Sequence, residues 1–362
     1  MSKFRTVVAL AGAALLVRRA VRSRMATAPL WPMPALENPI SGRPRGRAQR
    51  LRVAGRSQVA EGVVRLRLEP RSPQSGTLPG PLPAWEPGAH LDLVLPSGTV
   101  RQYSLCGDPA DRSAYTVATR LIEDGRGGSR EVHEKLAEGA EIEVRGPRNR
   151  FPLERSHAYV FVAGGIGITP ILPMLRAAEA SGAQWQLVYA GRSRSSMPFL
   201  DEVERLGSGG RGRVTVIAED EDGRPDAAAL FAGAPQAAAV YCCGPEGLMD
   251  AVAAALPHGS TLHLERFTPA TATEGNTAFE VELRRTGGTV EVPADETILA
   301  AVRKKLPSVA YSCEQGFCGT CQLRVVAGEV DHRDELLDDE ERRDSMLICV
   351  SRARGEKLVL DL

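Results

Sequence analysis

The sequence predicts a multidomain protein built from an antiparallel β-barrel, an α/β domain around a parallel sheet, and a β-grasp (α+β) domain, in that order. Three observations carry this. Between Arg50 and Phe151, short alternating stretches such as "VVRLRLEP" and "HLDLVLP" are separated by Gly and Pro, with no long helical pattern, which is the signature of a barrel. From residue 156 the period changes, and strand-like runs alternate with helical ones, as in a parallel sheet covered by helices. Towards the C-terminus a Gly-Gly hairpin and a helix precede "CEQGFCGTC", three cysteines within nine residues.

Residues 1–48 form a basic extension and linker. The chain has 362 residues and a formal charge of zero, which argues against nucleic acid as a partner. The balance is uneven: residues 1–50 hold ten Lys and Arg against one Glu. The run "VVALAGAALLV" is too short to span a bilayer as a helix, and its arginines follow it, contrary to a signal peptide. Two readings stand: a helix lying on anionic lipid, with Phe4, Val7, Val8, Ala11 and Leu15 on one face, or a frayed basic tail. Residues 25–48, rich in Pro, Arg and Gly, read as a linker.

Residues 49–155 are the barrel. Within it, "RQYSLCGDP" is a strand whose alternation puts Arg101, Tyr103 and Leu105 on one face and Gln102, Ser104 and Cys106 on the other. Downstream, "DGRGGSREVHEKL" turns helical after glycines. Ser129 is the expected N-cap, and Gly127 and Gly128 leave bare N–H groups at a positive helix end that suits a phosphate, although an ordinary glycine turn would look the same. Cys106 reads as a small buried residue.

Residues 156–272 are the α/β domain. Its strands are "AYVFVA", "WQLVYA", "RVTVIA" and "AAVYCCG". After the first comes "GGIGITPILPML", in which Thr169 is placed as cap and Pro170 as first helical residue, while Gly164, Gly165 and Gly167 let an anion approach. "GRSRSS", after the second strand, stands where a ribose is recognised. It offers Arg192 and Ser193 rather than a carboxylate. Cys242 is expected to be simply buried.

Residues 278–362 are the β-grasp domain, with a hairpin turning at Thr286-Gly287-Gly288 and a helix starting near Asp295. Seven cysteines is an odd count in a chain long enough to build its own cores, which makes a disulfide framework a poor reading. Zinc is a rival, yet zinc knuckles usually pair CxxC units. Cys313, Cys318 and Cys321 have the four-then-two spacing of plant-type 2Fe-2S proteins, which require a distant fourth thiolate. Cys349 supplies it. Gly316 and Gly319 suit a loop that turns its N–H groups towards sulfur. From Glu329 to Asp344 the chain has nine acidic and three basic residues, either a solvated face or a docking patch for a basic partner.

The stretches "YSCEQGFCGTCQLRVVAGEV" and "LICVSRA" resemble the ferredoxin domain of the phthalate dioxygenase reductase family, and with "RQYS", "GGIGITP" and "YCCGP" the resemblance covers roughly residues 50–362. It implies a flavin domain, an NAD(P)-binding domain and a C-terminal 2Fe-2S ferredoxin domain. By that resemblance Arg101 meets the flavin phosphate, Tyr103 the flavin's side chain or ring, and Ser104 the ring near N5. Ala118 and Thr119 in "TVATR" line the isoalloxazine, and Gly127, Gly128 and Ser129 bind the FMN phosphate with help from Arg130. "GPRNRFPL" resembles the FMN branch, with FAD as the alternative. Gly164, Gly165, Gly167, Thr169 and Pro170 would take the nucleotide pyrophosphate. Cys243, Gly244 and Pro245 would lie beside the nicotinamide, with Cys243 and Ser104 as the catalytic pair, and Phe267 would approach the flavin. NADH is the expected donor, NADPH the alternative. The implied function is an electron-transport reductase, a cytoplasmic monomer, serving a Rieske-type oxygenase or a cytochrome P450. A stand-alone flavin or quinone reductase and a non-enzymatic zinc-bound docking module are the rival readings.

Overall fold

In the computed structural model the described residues are 48–362 apart from 72–79, 126, 210, 227–228, 268–274 and 335. The basic extension, and with it the choice between a lipid-facing helix and a frayed tail, therefore lies outside the described residues. The first sheet holds β1 (Gln49–Ala60), β2 (Val63–Pro70), β3 (Ala89–Val94), β4 (Val100–Ser104), β5 (Tyr115–Arg120) and β6 (Glu141–Asn149) in the order β4-β3-β6-β1-β2-β5. Every pairing is antiparallel. The two ends meet where Leu105 bridges Val117 and the Cys106 N–H donates to the Thr116 carbonyl, so the sheet curls into a barrel. Leu51, Leu66, Leu91, Leu93, Leu105 and Val117 fill it. Helix α1 (Gly128–Lys135) follows β5.

The second sheet is parallel throughout, ordered β11-β10-β7-β8-β9. Its strands are β7 (Ala158–Gly164), β8 (Gln184–Gly191), β9 (Gly212–Ala218), β10 (Ala239–Cys243) and β11 (Thr261–Glu265). Helices α2 (Ile168–Ser181), α3 (Leu200–Gly209) and α4 (Glu246–Ala254) connect them. All seven residues of the central β7 are buried, as a strand covered on both faces must be. Strand order reverses beside it: the chain runs from β7 to β8 on one side and later returns to β10 on the other. That switch point is where open α/β sheets bind ligands.

The third sheet combines β12 (Phe279–Leu283), β13 (Thr289–Val292), β14 (Gln322–Ala327), β15 (Ser345–Leu347) and β16 (Lys357–Leu360) in the order β13-β12-β16-β14-β15. Helix α5 (Ile298–Lys305) packs Ile298, Leu299, Ala301 and Val302 against it. The hairpin turns through Gly287 and Gly288, both at positive φ. α5 begins three residues later than expected, capped by the Thr297 hydroxyl, which accepts the Ala300 N–H at 3.1 Å. Barrel, parallel sheet and β-grasp domain thus follow in the predicted order.

Candidate functional site

Strand β4 brings the flavin-motif residues together. Leu105 faces the barrel core with Tyr103 packed against it. Cys106 points the other way, buried with Val63 and Ala118 against Ile166 and Phe199 of the α/β domain, as expected for a small buried thiol. Arg101 lies across the start of α1: a Cβ on Gly128 would sit 2.4 Å from Arg101 Nε. The two residues expected at a phosphate are therefore neighbours, although 27 positions apart. Gly127, at φ 81°, is the actual N-cap. Ser129 is not the cap, since its Oγ accepts the Ile122 N–H at 3.0 Å and so ties down the preceding loop. Arg130 is likewise turned to that loop, donating to the Glu123 carbonyl.

Two features of this cradle fit a flavin. Thr119 Oγ1 is buried beside the Tyr103 hydroxyl, which interacts with it, so the two place polar atoms together on the wall of the cradle. Burial pushes the Tyr103 hydroxyl up to about 12, against the smaller opposing influence of Arg101, so the phenol stays a neutral donor at physiological pH. Ala118, beside Thr119 on β5, is buried at the seam with the α/β domain. Ser104 is buried too, and its Oγ donates to Glu265 Oε2 at 3.4 Å, a long bond.

Glu265 ends β11 and pairs in register with Cys243 at the end of β10. Burial, then the Glu265 charge, push the Cys243 thiol well up; it stands there as a small neutral group. Cys242 faces the opposite side of the sheet, within an apolar core. Ser104, Glu265 and Cys243 thus form one constellation from two domains. Sequence reasoning missed Glu265. Its signal was present in "HLERF", but a carboxylate at a strand end reads as surface unless its partner across the seam is known.

The glycine loop packs directly on the CGP segment. A Cβ on Gly167 would lie 2.2 Å from the Cys243 carbonyl oxygen, and one on Gly164 would lie 2.5 Å from Pro245 Cδ. Gly244 is equally confined, its hypothetical Cβ 2.9 Å from the Gly164 nitrogen. Neither backbone can yield, so these positions need glycine for close approach rather than for turn geometry. The expected cap is two residues out of place. Gly167 precedes α2, Thr169 and Pro170 occupy its second and third positions, and Thr169 Oγ1 donates back to the Ile166 carbonyl at 3.0 Å. The helix end still faces the loop. Gly167→Ala is expected to displace the CGP segment and cut NADH turnover by tenfold or more, as the cost of roughly 1–3 kcal/mol for overpacking implies, while flavin content stays at the wild-type level. Unchanged turnover would show that the two loops are not mechanically joined.

Beyond β8, Ser193 and Ser196 cap each other in one tight turn, and Arg192 is exposed.

The four thiols predicted to ligate metal are all buried. Cys313 contacts Cys318 and Cys349, and Cys349 contacts Cys321. The Gln315 N–H donates to Cys313 Sγ at 3.3 Å, and the Cys313 N–H to Cys318 Sγ at 3.5 Å. Against the cost of burial, the hydrogen bonds from Cys318, Cys349 and the Gln315 and Phe317 N–H groups hold the Cys313 thiol well below its ordinary value. N–H groups directed at the Cys313 sulfur favour its charged form, the form that ligates metal. Gly316 and Gly319 take positive φ, and a Cβ on Gly316 would meet Val350 at 2.8 Å. Among the described residues no three metal-binding side chains converge on a single-ion position. The contacts join all four thiols in one chain, Cys318 to Cys313 to Cys349 to Cys321, as a site for one multi-iron cluster requires.

This loop abuts both other domains. Cys313, Phe317 and Cys318 share an apolar cluster with Val100 of β4, whereas Cys321 and Cys349 belong to the β-grasp core. The Val100 N–H donates to Ser312 Oγ at 3.1 Å. Gln315 Nε2 donates to the Phe267 carbonyl at 2.9 Å, while the Phe267 side chain is 43% exposed. The acidic run is partly internal rather than wholly solvated: the buried Asp334 carboxylate accepts the Leu336 and Leu337 N–H groups and faces His332 and Arg342.

With this geometry in view, residues 281–354 match the 2Fe-2S iron-sulfur cluster binding domain, and residues 161–254 the oxidoreductase NAD-binding domain. The chain is 39% identical over 323 residues to the phthalate dioxygenase reductase of Burkholderia cepacia, covering 86% of this chain and 97% of that one. It belongs to the phthalate dioxygenase reductase family. A solved phthalate dioxygenase reductase, described as a modular structure for electron transfer from pyridine nucleotides to [2Fe-2S], matches with TM-score 0.61 at 38% identity over 87% of this chain and 98% of that chain. An intact type IV self-sufficient cytochrome P450 monooxygenase matches with TM-score 0.66 at 42% identity, covering 87% of this chain and 41% of that much longer one. As a member of the phthalate dioxygenase reductase family, the chain is an NAD(P)H-dependent iron–sulfur flavoprotein oxidoreductase. Among its described residues no helix is long and apolar enough to cross a membrane.

Proposed function

We infer that the chain takes two electrons from NADH, passes them through FMN to the 2Fe-2S cluster, and delivers them singly to a terminal oxygenase. The observation that carries this is the position of β4. Its Ser104 meets Glu265 beside Cys243, and its Val100 N–H bonds Ser312, next to Cys313. One five-residue strand thus touches both the nicotinamide side and the cluster loop.

When bound, the flavin converts a hydride pair into single electrons and the cluster provides their one-electron outlet. The protein's own residues supply position. Arg101 and the α1 terminus hold phosphate charge. Ser104 offers a hydroxyl that both donates and accepts, and Glu265 orients it. Cys243, kept neutral, supplies a thin wall against which a ring can lie. The cradle described accounts for a flavin phosphate and ring, which supports FMN over FAD. The partner is an oxygenase component: relatives are named as dioxygenase reductases, and a self-sufficient P450 monooxygenase contains within its own chain a region that matches 87% of this one. We place the protein as a cytoplasmic monomer, with the basic extension as its candidate contact with anionic lipid.

Stopped-flow mixing with NADH, followed at flavin and cluster wavelengths, tests the order. Flavin bleaching should precede cluster reduction. A cluster reduced first would overturn the route, and a colourless protein that holds zinc would favour the docking module over both enzyme readings.

A further inference from the structure

Arg120, the last residue of β5, belongs to the flavin domain by sequence, yet its side chain crosses into the nucleotide domain. Nη2 donates to the Ser196 carbonyl at 3.2 Å. Nη1 lies 3.0 Å from where a Cβ on Gly165 would be, against the glycine loop. Gly165 sits at φ 54°, its carbonyl fixed by the Tyr189 hydroxyl at 3.2 Å, so the loop is held beside the arginine. Arg192, from the turn after β8, is near enough for its charge to oppose that of Arg120.

Like charges this close are costly unless something negative joins them. Among the described residues neither guanidinium has an ion-pair partner. Arg194, by contrast, is paired with Glu204 and Arg176 with Glu202. The carboxylate at this seam, Glu61, is engaged by the Ser195 hydroxyl at 3.2 Å instead. Burial adds to the strain, lowering the Arg120 pKa first by desolvation and then through Arg192. A dianion lying between the glycine loop and the two arginines would relieve both costs.

We propose that Arg120 is a ligand of the nucleotide pyrophosphate contributed by the flavin domain, with Arg192 flanking it towards the adenosine ribose. This rests on the reading of the glycine loop as the dinucleotide site and deepens it. The nucleotide would then bind across the domain seam. Its phosphate would hold β5, and with it the flavin-facing Ala118 and Thr119, against the loop that positions the nicotinamide. Arginine suits the place because its planar fork can hold the Ser196 carbonyl with one nitrogen and present another to phosphate.

The probe is ADP, which carries the pyrophosphate without the nicotinamide, titrated calorimetrically into the flavin-loaded protein. Arg120→Gln should weaken ADP binding about tenfold or more, as loss of a charge-assisted hydrogen bond implies, with flavin content maintained. Arg120→Lys should fall between, and decides the matter if the glutamine variant does not fold. The ratio of kcat/KM for NADH to that for N-methyl-dihydronicotinamide, a hydride donor without phosphate, should drop by a similar factor. Wild-type protein that oxidises neither NADH nor NADPH would remove the dinucleotide reading itself. Wild type that oxidises NADH, beside an Arg120→Gln variant that binds ADP as tightly, overturns the arginine's role alone. Equal losses with both donors, or loss of flavin, would make Arg120 a strut of the seam and overturn it as well.

Discussion

Cys318→Ser is expected to cost the protein its iron–sulfur absorbance and to lower cytochrome c reduction by roughly two orders of magnitude, because a hydroxyl replaces one of four soft ligands. NADH-driven ferricyanide reduction, which draws electrons directly from flavin, should persist near the wild-type rate. The reason for separation lies in the packing. Ser104, Glu265, Cys243 and the glycine loop belong to the first two domains, whereas Cys318 belongs to the loop of the third. Cys242→Ser, in a different apolar core, should leave the cluster intact and serves as the control. Deleting residues 270–362 should reproduce the defect less cleanly, since it would uncover Val100, which is fully buried against Cys313 and Phe317. Spectra and the two acceptor assays decide the matter. Cytochrome c reduction at full rate in Cys318→Ser would mean that the cluster is not the exit.

The cluster was legible because its signal is covalent and local: four thiols at fixed spacing, with glycines where a Cβ would strike Val350 or turn the backbone wrongly. The domain order was legible for a similar reason, since a change of hydrophobic period from two to mixed strand and helix needs no tertiary knowledge. Helix starts were less so. Thr169 and Ser129 both have capping chemistry, yet each spends its hydroxyl elsewhere, one on the Ile166 carbonyl and the other on the Ile122 N–H. Local propensity offers several acceptable caps within two residues, and tertiary contact picks among them. Glu265 and Arg120 were invisible for a deeper reason. Each acts across a domain seam, on a partner 161 residues away for Glu265 and 76 for Arg120, and a single sequence carries no record of such pairing. The acidic run misled in the opposite sense: Asp334 belongs to the interior, where it caps backbone N–H groups, and composition cannot tell that aspartate from its solvated neighbours.

Arg101→Ala and Ser104→Ala should fail in different ways although three residues apart on one strand. Arg101 lies on the first turn of α1, where Gly128 has room for it only because it has no Cβ. Removing the guanidinium takes away the charge that a phosphate would meet, while the helix terminus remains. A charge-assisted hydrogen bond contributes about 1.5–3 kcal/mol, so the flavin dissociation constant should rise roughly ten- to hundredfold. Gel filtration at low protein concentration should then yield largely flavin-free protein, and added FMN should restore the rate. Ser104 is buried within the constellation of Glu265 and Cys243. Its alanine variant should retain flavin, because the phosphate cradle is untouched, but slow flavin reduction by NADH about tenfold or more through the lost hydroxyl and the Glu265 carboxylate left without it. Excess FMN should not rescue that variant. Glu265→Gln, which keeps an acceptor for the Ser104 hydroxyl, should lose less than Ser104→Ala. Flavin titration and single-turnover bleaching read the two defects separately, and equal flavin loss in both variants would mean that Ser104 supports the cradle rather than the ring.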